Sequence, residues 1–373
     1  LSIARVLNGP VGDGAELIGP DGPVGRVSGV FRIMGQQAAK RDAAKAGETV
    51  GLGKLDAART GMTLGSGKAA PAQIVTLESP DPVIGAAVSS SERKDEVKLS
   101  TTLTKVLEED PSLRIAHVQD TGETLMEGQG EMHLRVTLER LTGKYGISIH
   151  TEEPAIPYKE SIRTGTTVRG RHKKQSGGHG QFGDVVLEIR PLPRGAGFEF
   201  TNSISGGVVP KNYIPSVEEG VIDYLSKGPL GFPVVDIAVK LTDGSYHSVD
   251  SSDMAFRTAA QIGMREGMGE CKPVLLEPVR KVEIAVPSEA TPKVNGIVSQ
   301  RRGQLLGFDA RPGWNGWDVV EAMIPEAEIR DLIIELRSAT AGVGTFRSQF
   351  DHLAELTGRL ADQAVEKARA RAA

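Results

Sequence analysis

The spacing of apolar positions changes along the chain, and each change marks a new kind of element. Residues 1 to about 75 carry short apolar runs at Ile3-Ala4-Arg5-Val6, Val27 to Ile33 and Thr49 to Leu52, divided by turn clusters such as Gly19-Pro20-Asp21-Gly22. Short strands at this spacing predict a small closed β-barrel. Ser66 to Ala72, rich in Gly, Ala and Pro, reads as a linker. Beyond it, Pro82 to Val88 reads as a strand. Leu99, Leu103, Val106 and Leu107 form the stripe of a helix that stops before Pro111. Leu113 to Val118 and Thr124 to Met126 flank the hairpin signal Asp120-Thr121-Gly122. Leu134, Leu138 and Leu141 mark a second helix ending near Gly143, and Ile147 to His150 is a last strand. The order is β-α-β-β-α-β.

The same order returns over 278–356. Val282, Ile284 and Val286 alternate with polar or small neighbours as a strand, and Val294, Ile297 and Val298 mark a short helix. Leu305 to Ala310 and Trp317 to Met323 flank the turn Asn315-Gly316. Ile329, Leu332, Ile333 and Leu336 mark a second helix, and Thr345 to Phe350 closes the set. Two split β-α-β units of the ferredoxin-like kind in one chain are a specific architectural signal, though this unit carries no function by itself.

Between them, 154–277 predicts a longer α/β domain. Val185 to Arg190, Phe198 to Ile204 and Val235 to Leu241 read as strands. Pro215 opens a helix with Val217, Val221 and Leu225 on one face and Gly228 as its stop. Ser251 or Ser252 caps another helix, packed through Phe256, Ala259, Ala260 and Gly263. Thr357 to Ala373 is a charged, Ala-rich helical tail. The fold class is multidomain α+β: a small β-barrel, two ferredoxin-like domains and an elongated α/β domain between them.

Composition narrows the chemistry. Among 373 residues, 39% are hydrophobic and 25% charged, ordinary for a globular protein and enough for several cores. The net charge of −4 excludes a broadly basic nucleic-acid binder, so contact with RNA requires local patches. A single cysteine, Cys271, rules out an internal disulfide and a cysteine zinc site and fits a reducing, cytoplasmic setting. No apolar run is long enough for a membrane helix. Leu1 to Val6 already reads as strand, so the expectation is that sequence precedes Leu1.

Gly53-Lys54 and Gly67-Lys68 are Gly-Lys pairs, but neither has the upstream Gly or the following Ser or Thr of a phosphate-binding loop. His247, Asp250, Ser251 and Ser252 contain the residue types of a hydrolytic triad. A run of sequence neighbours, however, is better explained as an exposed loop ending in helix caps. No catalytic or metal site is assigned. Ser161 to Gly183 has no Asp or Glu. It carries Arg163, Arg169, Arg171, Lys173, Lys174, His172 and His179, and ends in a glycine-rich run. Basic side chains neutralise phosphates, and glycine lets backbone approach a sugar-phosphate chain. The alternative is a solvated loop. Arg301-Arg302-Gly303 is a smaller basic set whose alternative is a surface helix end.

These residues carry a resemblance. Ser176-Gly-Gly-His-Gly-Gln-Phe-Gly183, Tyr213-Ile-Pro215, Gly228-Pro-Leu-Gly-Phe-Pro233, Gly244-Ser-Tyr-His-Ser-Val-Asp-Ser-Ser252, Lys272-Pro-Val-Leu-Leu-Glu-Pro278, Arg301-Arg-Gly303 and Gly128-Gln-Gly-Glu-Met-His-Leu134 together resemble bacterial elongation factor G or a close elongation factor G-like paralogue. The resemblance implies a fragment without the family's GTPase domain. It implies a translation-factor barrel over 1–75, ferredoxin-like domains over 76–153 and 278–356, and an elongated domain made of 154–277 plus 357–373. It further implies a monomer acting in translocation. Its partners would be the ribosome at the small-subunit decoding region and the large-subunit GTPase-associated region, together with transfer RNA and messenger RNA. GTP and Mg would belong to the missing domain, with no cofactor in this chain. The implied contact residues are Arg171, Lys173, Lys174, Ser176, Gly177, Gly178, His179, Gly180 and Gln181 in one loop, Ser245, Tyr246 and His247 in a second, and Arg301 and Arg302. His179 stands where the family commonly has Arg, and Ser248 where Asp is usual. Such drift suits a paralogue in ribosome recycling or a specialised ribosome-linked role. A free-standing RNA-binding module is the reading from another class.

Overall fold

The computed structural model describes residues 1–67, 69–74, 79–175 and 180–372. The chain falls into two compact units. One holds Leu1–Pro82, Val88–Ala116 and Met126–Thr151, and the other holds Val83–Ala87, His117–Leu125 and Glu152–Ala373.

The chain opens with short strands: β1 (Ser2–Arg5), β2 (Val11–Gly12), β3 (Glu16–Gly19), β4 (Gly22–Arg26), β5 (Val30–Met34), β6 (Gln37–Arg41), β7 (Ala43–Ala44) and β8 (Thr49–Leu52). They surround a core of Val6, Leu17, Val24, Val27, Val30, Val50, Leu52 and Leu55. The pairing is a four-stranded sheet in the order β1-β8-β5-β6 with two ribbons, β2-β7 and β3-β4. Among the described residues the pairing is a sheet and two ribbons around a common core, without the continuous ladder of the expected closed barrel. Gly29 and Gly47 take positive φ between the segments and break the ladder there.

Next come β9 (Ile84–Ser90), α1 (Glu96–Glu109), β10 (Arg114–Val118), β11 (Glu123–Gly128), α2 (Glu131–Tyr145) and β12 (Ile149–Glu152). The sheet runs β10-β11-β9-β12. Leu99, Leu103 and Val106 are buried on α1, as the apolar stripe requires. The second helix passes through Gly143 and stops two residues later. Gly146, at φ +62°, is the true cap, and its N–H donates to the carbonyls of Leu141 and Thr142.

The remainder contains β13 (Lys159–Ile162), β14 (Thr166–Lys174), β15 (Gln181–Pro191), β16 (Phe198–Asn202), α3 (Ile214–Leu225), β17 (Ile237–Ser245), α4 (Asp253–Glu270), β18 (Pro273–Pro287), α5 (Thr291–Gln300), β19 (Gln304–Ala310), β20 (Trp317–Pro325), α6 (Leu332–Ala339), β21 (Thr345–Leu356) and α7 (Arg359–Ala372). One sheet runs β14-β15-β17-β16. Its buried face, Val185, Leu187 and Ile189 with Ile237, Val239 and Leu241, packs on Val217 and Val221 of α3 and Phe256, Ala259, Ala260 and Met264 of α4. The other sheet runs β21-β18-β20-β19, with β13 also paired to β18. Numbered within each β-α-β-β-α-β segment, both sheets have the order 2-3-1-4.

Three boundaries differ from the sequence expectation. The division at 277/278 lies inside β18, which is one strand from Pro273 to Pro287. Pro278 is accommodated because the β18–β21 register shifts just beyond it, between Val279 and Arg280. The break in direction comes earlier, at Lys272, with φ +53°. The strand expected from Val235 starts at Ile237, because Asp236 is left-handed at φ +58° and its Oδ1 accepts the Gly197 N–H. The connection around Asn315-Gly316 is a longer loop from Arg311 to Gly316, closed by the Arg311 N–H donating to the Trp317 carbonyl at 2.7 Å.

Candidate nucleic-acid interface

Among its described residues the acid-free stretch is largely β-strand: it takes in the end of β13, all of β14 and the start of β15. All of β14 pairs with β15, from Thr166 opposite Ile189 to Lys174 opposite Gln181. Alternation then sorts its residues by face. Gly170 points toward α4, where an added Cβ would lie 2.1 Å from the Ala259 carbonyl oxygen. Gly183 does the same against the Ala255 carbonyl, at 2.4 Å. Arg169, Arg171 and Lys173 project on the opposite face. The absence of a side chain at Gly170 hides the period-two signal in the sequence.

The five basic residues expected to act together separate into two groups. Arg163 pairs with Glu355 at 2.8 Å. Arg169 grips the buried Asp184 with both arms of its guanidinium, at 2.8 and 2.5 Å. The Ser245 hydroxyl also donates to Asp184, at 2.5 Å. Burial works to raise the Asp184 carboxyl, but the Arg169 and Ser245 hydrogen bonds outweigh it and hold the group below the usual carboxylate range. Ser245, named from sequence as a contact residue, is the end of β17 and serves this internal network. Arg171, Lys173 and Lys174 are exposed. The Arg171 guanidinium stands over the Phe182 ring at 5.4 Å, and neither lysine has an ion pair among the described residues.

The two expected tip loops are joined at their bases. The Phe182 N–H donates to the Asp250 carbonyl at 2.8 Å, and the Gly180 N–H donates to Asp250 Oδ1 at 3.0 Å. The Ser251 hydroxyl donates to the Phe182 carbonyl at 2.9 Å and accepts the His247 backbone N–H at 2.9 Å. Below them the Tyr213 hydroxyl donates to the Ser251 carbonyl, and its ring stacks on Phe256 at 4.8 Å. The Ser252 hydroxyl accepts the Ala255 N–H and caps α4. These contacts account for the Tyr213-Ile-Pro and Val-Asp-Ser-Ser motifs as supports for the tip.

The imidazole of His247 is 54% exposed. Its Nδ1 accepts the backbone N–H groups of Val249 and Asp250 at 3.3 and 3.2 Å, and its ring lies 6.3 Å from that of Phe182. Tyr246 is half exposed beside it. Both serine hydroxyls are engaged with backbone groups, so the cluster is a closed turn and not a nucleophile poised on a base. Gln181 is exposed, with its side-chain oxygen 2.9 Å from His172 Nε2. Ser176, Gly177, Gly178 and His179 lie outside the described residues.

Arg301 and Arg302 are not with this group. Arg301 pairs with Glu335 and donates to the Glu328 carbonyl. Arg302, left-handed at φ +54°, grips the buried Glu277 at 2.7 and 2.9 Å and reaches Glu328 at 2.9 Å. Both are internal braces of the β18–α6 region, nearer to the helix-end alternative than to RNA contact. Gly228 to Pro233 has a similar structural task. The N–H groups of Leu230, Gly231 and Phe232 converge on the fully buried Glu160 carboxylate at 2.8 to 3.1 Å.

Comparison with known proteins finds three family models along the chain. Elongation Factor G domain III matches residues 79–153, Elongation factor G domain IV matches 154–272, and Elongation factor G C-terminus matches 274–364. An elongation factor G-like protein of Synechocystis sp. is 51% identical over 361 residues, covering 97% of this chain and 53% of that protein. A crystal structure from Thermus thermophilus superposes with a TM-score of 0.81 at 36% identity, covering 97% of this chain and 54% of the other. The chain thus spans about half the length of the relatives it matches.

Proposed function

Because this chain belongs to the elongation factor G family, we propose that it is the ribosome-engaging part of a factor that promotes movement of transfer RNA and messenger RNA. The tip of the β14–β15 hairpin and the 246–250 turn meet RNA at the decoding region. Arg171, Lys173 and Lys174 neutralise phosphates, and Gln181, Tyr246 and His247 offer hydrogen bonds and ring faces to exposed nucleotides. The observation that carries the reading is the common base of the two loops, where Asp250 and Ser251 fasten the start of β15, the partner of the basic strand, to the His247 turn. Segments fastened to each other in this way move together as part of their domain. A change of domain orientation is then transmitted to the RNA it touches. The reading assigns no covalent chemistry to the described residues, and GTP hydrolysis belongs to the proposal for the whole protein.

A salt titration of chain binding to small ribosomal subunits tests it. Three phosphate contacts give a log–log slope of roughly −2 to −3. Replacing Lys173 and Lys174 with Ala lowers its magnitude by up to about 2. An unchanged slope in the double variant would remove the hairpin from the interface. A specialised ribosome-linked role is the second reading, favoured by Ser248 in the tip turn and by the relative's description as elongation factor G-like.

A further inference from the structure

The two tryptophans of the chain, Trp314 and Trp317, lie in the β19–β20 connection and at the start of β20. Their rings meet edge to face at 5.1 Å. The Arg311 guanidinium is stacked 3.9 Å from the Trp314 ring and 5.8 Å from that of Trp317. It has no carboxylate or other hydrogen-bond partner for its side chain among the described residues. Trp314 is 49% exposed. The adjoining strand β19 ends the sheet order, so no described strand pairs with its outer edge. That edge strand carries Leu305, Leu306 and Phe308, all exposed, with a bulge between Leu305 and Gly307.

An edge strand with three exposed apolar side chains is a hazard unless something covers it. Tryptophan and arginine are also the residue types that dominate the energetic centres of protein interfaces. The stack holds the guanidinium in one orientation with its donor fork unsatisfied, which suits a carboxylate or a phosphate in two-pronged contact. Two features separate these ligands. Asp309 is exposed on the same strand, and Glu289 is exposed beside Ser288, whose N–H donates to the Gly316 carbonyl at the loop. A phosphate chain would bring a row of charges against these carboxylates and cannot cover Leu306 and Phe308, whereas a mostly apolar segment with one acidic residue sets a single charge against Arg311. We infer that β19 and the Arg311–Trp314–Trp317 loop form a docking surface for an extended protein segment. That segment lies along the open edge, covers the apolar side chains, and sets an acidic residue against Arg311.

Both tryptophans report on this surface, so the intrinsic emission of the full chain is its signal. The probe is a nine-residue peptide alternating valine and threonine with one central glutamate, compared with the peptide in which lysine replaces that glutamate and with oligouridine, none of which fluoresces there. The expected result is a saturable emission change with the glutamate peptide alone. Arg311→Ala should weaken it at least about tenfold, the range of a lost charge-assisted hydrogen bond. Leu306→Asp should weaken it as well, and because Leu306 is exposed this variant keeps the fold. A response that Arg311→Ala leaves intact, or no saturable response to the glutamate peptide, overturns the inference. Tighter binding of oligouridine would make the platform a base-stacking site instead. A concentration-dependent dimer abolished by Leu306→Asp would make the occupant a second copy of this chain and overturn the separate partner.

Discussion

The backbone N–H of Gly180 lies 3.0 Å from Asp250 Oδ1, and a Cβ built on Gly180 would sit 2.9 Å from the same carboxyl group. The glycine is therefore required by a carboxylate 70 residues away and not by its own backbone angles. Gly180→Ala should push the Asp250 side chain off the hairpin and loosen the tie between the two tip segments. Binding to small ribosomal subunits is expected to weaken, while global stability falls by about 1 kcal/mol or less because the site is near the surface. Hydrogen exchange at Phe182, whose N–H donates to the Asp250 carbonyl, reports the loosening directly. Unchanged protection there would show that the carboxyl group yields without disturbing the tie.

Gly170 behaves differently because the obstacle is backbone. Its added Cβ would meet the Ala259 carbonyl oxygen at 2.1 Å and the Gly263 nitrogen at 2.5 Å. Neither can rotate away, so Gly170→Ala should separate β14 from α4 at a cost of about 3 kcal/mol or more. A urea unfolding midpoint within error of the unmodified chain would show that strand and helix slide without penalty.

Asp184 gives a pH signature. Its folded carboxyl titrates below its ordinary value, since the Arg169 and Ser245 hydrogen bonds override burial. A depressed carboxylate contributes stability that is present above the unfolded pKa, about 3.9, and is lost as pH falls through the folded pKa. Arg169→Ala should therefore destabilise the chain at neutral pH and have a smaller effect as pH falls toward the folded pKa of Asp184. Denaturant midpoints at pH 7 and pH 3 for both proteins check this. Equal losses at the two values would mean that Arg169 acts through packing alone.

His247→Ala should leave stability within about 0.5 kcal/mol, since the ring is more than half exposed. In the full-length protein it should slow the ribosomal step, measured as the rate of messenger movement in a stopped-flow assay. A drop of several degrees in melting temperature would identify the imidazole as a structural plug for the turn.

Guanine nucleotide should not bind to this chain. The Gly53 position is fixed by packing, with an added Cβ only 2.3 Å from the Ser28 carbonyl oxygen, and Lys54 is left-handed at φ +56°. That is a turn within the β-strand unit, without the row of backbone donors that cradles phosphates. Calorimetric titration with GTP and Mg²⁺ should show no heat of binding, and micromolar affinity would contradict the reading of this pair.

The sequence alone determined the elements whose period is set by local packing. The stripe Leu99, Leu103, Val106 specified α1, and the alternation Val282, Ile284, Val286 specified β18. The serine pair Ser251-Ser252 marked where α4 begins, and folding gave the cap to Ser252, whose hydroxyl meets the Ala255 N–H. The family motifs also placed Gln181 and His247 near one tip. What the sequence could not decide was how charges divide between internal and external tasks. Arg169, Arg301 and Arg302 look no different in sequence from Arg171, yet their partners Asp184, Glu335 and Glu277 lie 15 to 34 residues away and are brought to them by folding. The β14–β15 hairpin was hidden for a related reason. Gly170 and Gly183 carry no side chain to show a period, and they are glycines because the backbone of α4 occupies that space. Local periodicity is written by side chains that touch solvent or core. Ion pairing and backbone contact between distant segments exist only once the chain has closed on itself.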